Sequence, residues 1–378
     1  MHSTRQIYLP TEVVVQIVRF VAADEAHRQE ALYACCLVSR QWYSAAVSFL
    51  YEKPRLHIGN SFQQFVSTCS GVGVRRNKLN LGSFVRRLDL SRLVHHSSNS
   101  VTARLLGRVK ENLEVFVAPR VSFAVNGLPA LSKCTNLRHL DLSLVADSIP
   151  FLNLKKALSR LLRLRTLRLP RSTNLDAPDS SRTEWPPLLH KLQLSGHFSA
   201  TTIPSFSWPP ALTSLTLKNC TDLSVTSIAC LLSSPQLSET LKHLTISYAN
   251  RGLEPGSINA VTALLPGLTF LSVPGDMVDE TFFDVLYFLS PPLALEVVEF
   301  DMPNLDPVLH FETASLIMAL DKGLSNVHSI GFSDIFCTDE RIVEDEEVDN
   351  VLHKHAKQRA EQGATTAVDE TEVGVYYM

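Results

Sequence analysis

Between residues 9 and 50 the apolar positions recur at helical spacing in three short runs. Val13, Val14, Ile17, Val18 and Val21 follow at intervals of one, three and four, which predicts one side of a helix. Pro10 stands where a first-turn proline is tolerated, because that N–H would be unpaired anyway, and Glu12 suits the positive end of the helix dipole. The run is rich in β-branched residues, which are mediocre helix formers, so this helix needs a neighbour. A second run through Ala31, Leu32, Cys35 and Leu37 supplies one. A third, opened by Ser39 as N-cap, carries Trp42, Ala45, Ala46 and Phe49 on one side. A bundle this short buries little, so it leans on the rest of the chain or completes itself on a partner.

Residues 51–58 read as extended around Pro54, and residues 61–69 as a helix with Phe62, Phe65, Val66 and Cys69 on one side. Then the period changes. A unit of the form L-x-x-L-x-L returns ten times, its last apolar position falling on Leu90, Ala118, Leu142, Leu169, Leu194, Leu217, Ile246, Val273, Phe300 and Phe332. Successive copies are 23 to 32 residues apart, and all but the last spacing lie within the leucine-rich-repeat period of about 20–29. The last two leucines of a unit are two apart and share one face of a short strand. One such strand cannot bury that face alone, whereas stacked copies bury a continuous column and pair in parallel. Helices on the outer side are predicted at 101–109, 151–161, 225–232, 258–265, 281–289 and 314–320. Two units are prefaced by Trp-Pro-Pro, at Trp185 and Trp208. The prolines stop a helix, so these repeats should be helix-poor, with the two tryptophans covering the outer side. The expected fold is an α/β solenoid, an irregular leucine-rich-repeat horseshoe of about ten short parallel strands preceded by a small all-α bundle. A doubly wound α/β sheet also alternates strands and helices, but it would need a glycine-rich phosphate loop or a charged cluster at strand ends, and neither is present.

Composition changes little in this picture. The chain has 378 residues, 45% of them hydrophobic and 19% charged, which is ordinary soluble globular usage. The longest uncharged stretch, 255–275, is interrupted by Pro255, Pro266 and Pro274, so no membrane span is expected. The N-terminus lacks the features of a secretory signal. The seven cysteines are scattered without a C-x-x-C pair, which fits free thiols in a reducing compartment, cytosol or nucleus. Charge is unevenly spread. Residues 75–171 hold 19 Lys/Arg against 5 Asp/Glu, a balance of +14, and residues 172–378 hold 10 against 28, a balance of −18. Such asymmetry points to a charged partner or an internal attraction. After Phe336 the repeat stops, and residues 337–378 read as an acidic, mostly disordered tail with a weak helix at 346–361. The expectation from charge is that the acidic run 344–349 folds back on the basic half around Arg87, Arg168 and Lys191, or that the basic half prefers acidic or phosphorylated substrates.

No nucleotide-binding, zinc-protease or nucleophile-elbow motif occurs. His95-His96 beside Ser97 and Ser98 reads as a polar loop, and His353 and His355 cannot share a helix face at a spacing of two. Neither an enzyme nor a cofactor or metal is expected. Function should lie on the strand face opposite the leucine column. Its candidate binding residues are Arg87, His139, Asp141, Arg168, Lys191, Gln193, Thr216, His243 and Phe270. The basic segment raises nucleic-acid binding as an alternative, but its Arg and Lys are spread over many elements with few aromatics between them to stack on bases.

Leu9-Pro10-x-Glu12, the 17–21 turn and Leu37-Val38-Ser39-Arg40-x-Trp42-Tyr43 together resemble an F-box. The segment 22–30 is longer and more charged than the family's usual linker. The copy LTSLTLKNCTDLSVTSIACLL, with Cys220 at the Asn/Cys position and Leu223 after it, resembles the leucine-rich-repeat family, although most other copies lack that Asn or Cys. The combination is similar to fungal-type F-box/LRR substrate receptors. The resemblance implies docking on the Skp-type adaptor, and through it a cullin, of an SCF ubiquitin ligase. It assigns the adaptor contact to Leu9, Pro10, Val14, Ile17, Val38 and Trp42, and target selection to the solenoid. The implied organisation is 1–55 bundle, 56–336 solenoid and 337–378 tail. An interaction scaffold without ubiquitination, or a bundle that is only an N-terminal cap, remains the alternative reading.

Overall fold

The computed structural model describes residues 9–56, 59–70, 80–93, 98–175, 183–197, 200–201, 203–287, 291–338, 346–361 and 373–378. The three expected helices are α1 (Thr11–Ala23), α2 (Arg28–Val38) and α3 (Arg40–Glu52). Val14, Val18, Leu32, Ala45 and Ala46 form their core, with Trp42, Cys35, Cys36 and Phe49 packed against it. Ser39 caps α3, its Oγ accepting the Trp42 N–H at 3.3 Å. The fourth helix, α4 (Gly59–Ser70), follows, and its Phe65 stacks on Tyr51.

By compactness the chain divides into two units, one of residues 1–149 with 156–164 and one of residues 150–155 with 165–378. The bundle therefore shares its unit with the first repeats, instead of separating at residue 55. In this unit β1 (Arg87–Asp89), β2 (Val115–Val117) and β3 (His139–Asp141) pair in parallel, with Leu88, Phe116 and Leu140 in register and buried. The helices α5 (Asn99–Val109) and α6 (Leu128–Leu131) lie in its connections. The next helix, α7 (Phe151–Leu158), straddles the division.

The second unit contains β4 (Thr166–Arg168), β5 (Lys191–Gly196), β6 (Ser214–Cys220), β7 (His243–Ile246), β8 (Phe270–Pro274), β9 (Val297–Asp301) and β10 (Ser329–Phe332), each parallel to the next. Leu167, Leu192, Leu215, Leu244, Leu271, Val298 and Ile330 stand in register and make the buried column that one strand could not bury alone. All ten strands expected from the repeat are present. Connecting helices are α8 (Val225–Leu232), α9 (Pro235–Thr240), α10 (Val261–Leu264), α11 (Glu280–Tyr287) and α12 (Thr313–Leu320). The short α6 and α9 lie outside the expected helices, because four to six residues hold too few turns to show a period.

The Trp-Pro-Pro repeats are helix-poor among the described residues. Trp185 and Trp208 are buried with Phe151 and Phe206, and the Trp185 indole donates to Ser207 O at 2.7 Å. Lys155 lies buried in the same cluster, its Nζ 5.1 Å from the Trp185 ring centroid. Asn250 fills the role of the repeat asparagine, one residue later than the pattern. It accepts the Cys220 N–H and donates to the Leu217 and Ser247 carbonyls.

The end of the chain departs from expectation. Residues 346–361 form a full helix, α13 (Glu346–Glu361), and β11 (Gly374–Tyr377) adds to β10 as an eleventh parallel strand. Val348 and Leu352 are buried, Arg359 donates to the Asn326 and Val327 carbonyls, and Asp349 accepts the Val375 N–H at 3.0 Å. The tail reads as polar because only a narrow stripe of α13 is apolar, yet that stripe meets α12 and β11. Asp349 is thus engaged by β11. Glu344 and Asp345 lie outside the described residues. The Tyr376 ring lies over Gly331 and its hydroxyl donates to Glu299 Oε1 at 2.8 Å, a contact that, after burial, holds the phenol protonated above its usual range.

Two outcomes follow from this packing. A Cβ at Gly331 would meet the Tyr376 ring at 2.8 Å. Gly331→Ala should therefore loosen β11 and speed hydrogen exchange at its amides by about tenfold or more, while leaving β5 and β6 protected. Burial pushes Lys155 down to about 8 from 10.5. The folded state then releases this proton near pH 8 and the unfolded state near 10.5, so stability rises across that window. Lys155→Met should raise the urea midpoint at pH 7, and the gain should shrink as the pH approaches 10.5.

Candidate functional site

The apolar arc of α1 is wider than one core can cover. Val14 and Val18 point into the bundle, whereas Val13, Ile17 and Phe20 form a second stripe at i, i+4 and i+7 that faces water. Phe20 is 80% exposed. On α2, Leu37 and Val38 are 68% and 64% exposed, and Tyr33 is exposed one turn before Leu37. Leu9 and Pro10 are exposed at the start of α1, where Gln41 of α3 donates to Leu9 O at 2.8 Å and to Thr11 Oγ1 at 3.2 Å. That amide ties the N-terminus to the head of α3.

Of the six residues assigned to the adaptor contact, Leu9, Pro10, Ile17 and Val38 lie on the surface of the bundle, and Trp42 is half-buried against its core. Val14 requires correction. It is wholly buried, because i, i+4 with Val18 faces Leu32 and Ala46, and it positions the surface without belonging to it. Leu37, expected on the packed side of α2, is exposed. Reading a run of adjacent apolar residues as a single helix face misses the outward residues Val13, Phe20 and Leu37. The signal that finds them is the width of the arc.

Arg28 carries no sequence signal of its role. It is the first residue of α2 and its side chain is only 6% exposed. It donates to Glu52 Oε2 at 2.7 Å and to Ala22 O at 3.0 Å. The Glu52 carbonyl in turn accepts the Arg86 N–H at 2.9 Å, which joins the end of α3 to the entry of β1. The longer charged segment 22–30 thus ends in a structural ion pair. A cavity of about 530 Å³ opens here, with Arg28, Lys53, Arg55, Arg87 and Arg92 on its wall. Its cations are largely engaged: Arg28 by Glu52, Lys53 by Glu25, Arg87 by Asp89, and Arg55 by the Ala26 carbonyl.

The nine solenoid candidates all sit on the strand face away from the leucine column, half-exposed or exposed. In the first unit Arg87, Val115 and His139 are in register. In the second, Lys191, Ser214, His243 and Phe270 form one row, and Arg168, Gln193 and Thr216 a second. His243 lies against Phe270, ring centroids 5.8 Å apart. Asp141 acts locally. It accepts Ser143 N–H at 2.9 Å and Ser143 Oγ–H at 2.7 Å, turning the chain out of β3. Asp89 does the same for Ser91. Burial pushes Asp89 up, and the hydrogen bonds from Ser91 and Arg87 outweigh it and leave the carboxyl below its usual range. Both turns share the tripeptide Asp-Leu-Ser.

Burial holds the Cys69 thiol at about 11 and those of Cys134 and Cys220 at about 12, so all three stay protonated and non-nucleophilic at neutral pH. Among the described residues no cluster of His, Cys, Asp or Glu is placed to hold a metal, and no helix is long and apolar enough to cross a membrane. The pair His95-His96 and Ser97 lie outside the described residues.

Residues 7–96 match the family model described as the COS11 F-box domain. The chain carries an F-box. Its matched segment runs beyond the three helices through β1, which agrees with the Glu52–Arg86 join. F-box protein YDR306C of Saccharomyces cerevisiae is 30% identical over 80% of this chain, and the chain spans 63% of that protein's length. Protein pof5 of Schizosaccharomyces pombe is 26% identical over 78% of this chain and 82% of its own. Among solved structures, the yeast Rad7 and Elc1 complex has a chain that matches with a TM-score of 0.46 at 15% identity, covering 89% of this chain and 82% of that one.

The buried ion pair of this F-box gives a direct test. Arg28→Ala leaves Glu52 without its partner and should cost on the order of 3 kcal/mol, whereas Arg28→Met with Glu52→Leu should cost far less. Urea denaturation followed by circular dichroism reads both.

Proposed function

We propose that this chain is the substrate-recognition subunit of an SCF-type ubiquitin ligase. The F-box docks a Skp-type adaptor and, through it, a cullin; the solenoid holds the target protein. The observation that carries this reading is the uncovered apolar surface of the bundle, formed by Leu9, Val13, Ile17, Phe20, Leu37 and Val38. Fully burying each such side chain is worth roughly 1.5–3 kcal/mol, so a folded domain that leaves six of them in water is organised for a partner. Pro10 is exposed beside Leu9, and Trp42 is half-buried against the bundle's core. The chain does no chemistry of its own in this role, which is to bring a target close to the transfer machinery. Its place of action would be the cytosol or nucleus, where thiols stay reduced.

The polar strand rows are the surface on which a target would bind. They combine exposed cations, His243 and Phe270 in a repeat lattice, the usual means by which solenoids recognise extended partners. A scaffold without ubiquitination would use the same two surfaces.

Co-purification with a Skp-type adaptor tests the first half. The intact chain should form a stoichiometric complex. Ile17→Ala with Val38→Ala should weaken it at least about tenfold while the circular dichroism spectrum is unchanged. Val14→Ala should instead lower the thermal stability of the bundle. Absence of a complex with the intact chain would leave the scaffold reading. Reconstituted ubiquitin transfer to a captured target separates ligase from scaffold.

A further inference from the structure

The stretch 252–321 contains 11 Asp/Glu and no Lys or Arg. It spans β8 and β9 and the loop that leaves β9, residues 302–308, with the sequence Met-Pro-Asn-Leu-Asp-Pro-Val. Three apolar side chains of this loop stand in water: Met302, Leu305 at 69% exposure, and Val308. Neighbouring strands end level with it. Phe300 pairs with Phe332, and Phe332 with Tyr377, so Met378 lies two strand spacings from the loop's origin, about 10 Å, and it too is exposed.

The loop is held, not loose. Asp276 is wholly buried beneath it and its carboxylate accepts three consecutive backbone N–H groups, from Asn304 at 2.8 Å, Leu305 at 2.7 Å and Asp306 at 3.0 Å. Phe300 anchors the loop's entry and Leu309 and Phe311 its exit, all buried, and Pro303 and Pro307 restrict its backbone. Burying a carboxylate is costly, and here it fixes a loop that exposes hydrophobic side chains. Packing alone would favour turning Leu305 inward. A rigid apolar projection lowers the entropy cost of binding, because it needs no ordering when a partner arrives.

Charge selects the partner. Asp301 and Asp306 flank the apolar residues, and Asp334, whose N–H bonds Met378 O at 2.9 Å, sits beside them. With no Lys or Arg in the surrounding stretch, an acidic segment is repelled and a basic one is drawn in. We infer that the strand-end surface formed by Met302, Leu305, Val308 and Met378 binds a protein segment in which an apolar residue is flanked by Lys or Arg. This deepens the reading of the solenoid as the target-binding part, and rests on that reading but not on the adaptor contact.

The test measures binding to the full chain without any adaptor, so a failure of the F-box reading leaves it intact. The probe is a fluorescein-labelled peptide of about twelve residues that repeats Lys-Leu-Arg, followed by anisotropy at about physiological salt. Saturable binding is expected, weakened about tenfold or more by Met302→Ser with Leu305→Ser and Val308→Ser, and similarly by Asp301→Asn with Asp306→Asn. The variant Val121→Ser, at an exposed apolar position of the first unit, should bind like the parent. Four results would overturn the inference: no binding; binding unchanged in the triple variant; a peptide with Ser in place of Leu binding as tightly, which is bulk charge attraction; or sedimentation showing that a second copy of the chain occupies this surface.

Discussion

A stack of short parallel strands is stable only where it continues. Each strand here has three to seven residues, and its buried leucine gains nothing until a neighbour covers it. How each unit closes its own strands therefore governs the rest. At the N-terminal end α3 runs into the first repeat, its Glu52 carbonyl bonding Arg86 just ahead of β1 and its side chain holding Arg28. At the C-terminal end α13 and β11 close the last repeat, with Tyr376 laid across Gly331. The F-box is thus part of the first unit's own stability, and in the second unit losing the closing helix and strand would expose an unpaired edge.

Two buried charges in this protein serve position. Arg28 holds the start of α2 against the end of α3, and Asp276 holds a loop from below. Neither adds apolar area, and each carries a desolvation cost that its partners must offset. What they supply is direction: the first aligns two helices of the bundle, and the second fixes where three apolar side chains project.

The surfaces then divide by chemistry. The bundle offers aliphatic and aromatic side chains, the early strands offer cations, and the repeats around β8 and β9 offer carboxylates around a small apolar projection. The thiols of Cys69, Cys134 and Cys220 are buried and protonated.

The ten leucine units, the three F-box helices and the Ser39 cap were determined by sequence alone, because each rests on a local period or a single side chain reaching three residues. So were the Trp-Pro-Pro repeats, helix-poor among the described residues, since consecutive prolines cannot continue a helix interior. The eleventh strand and α13 were not legible, for their stability comes from a stripe of two buried apolar residues beside the buried His355, and from Asp349, Arg359 and Tyr376 reaching distant backbone or side chains. The same holds for which of the α1 valines faces out, for the Arg28–Glu52 pair across 24 residues, and for the hold of Asp276 on a loop 28 residues away. Periodicity reports that a residue is apolar and on which side it lies. Only the tertiary structure decides which side finds a neighbour, because that depends on contacts far along the chain that no local pattern records.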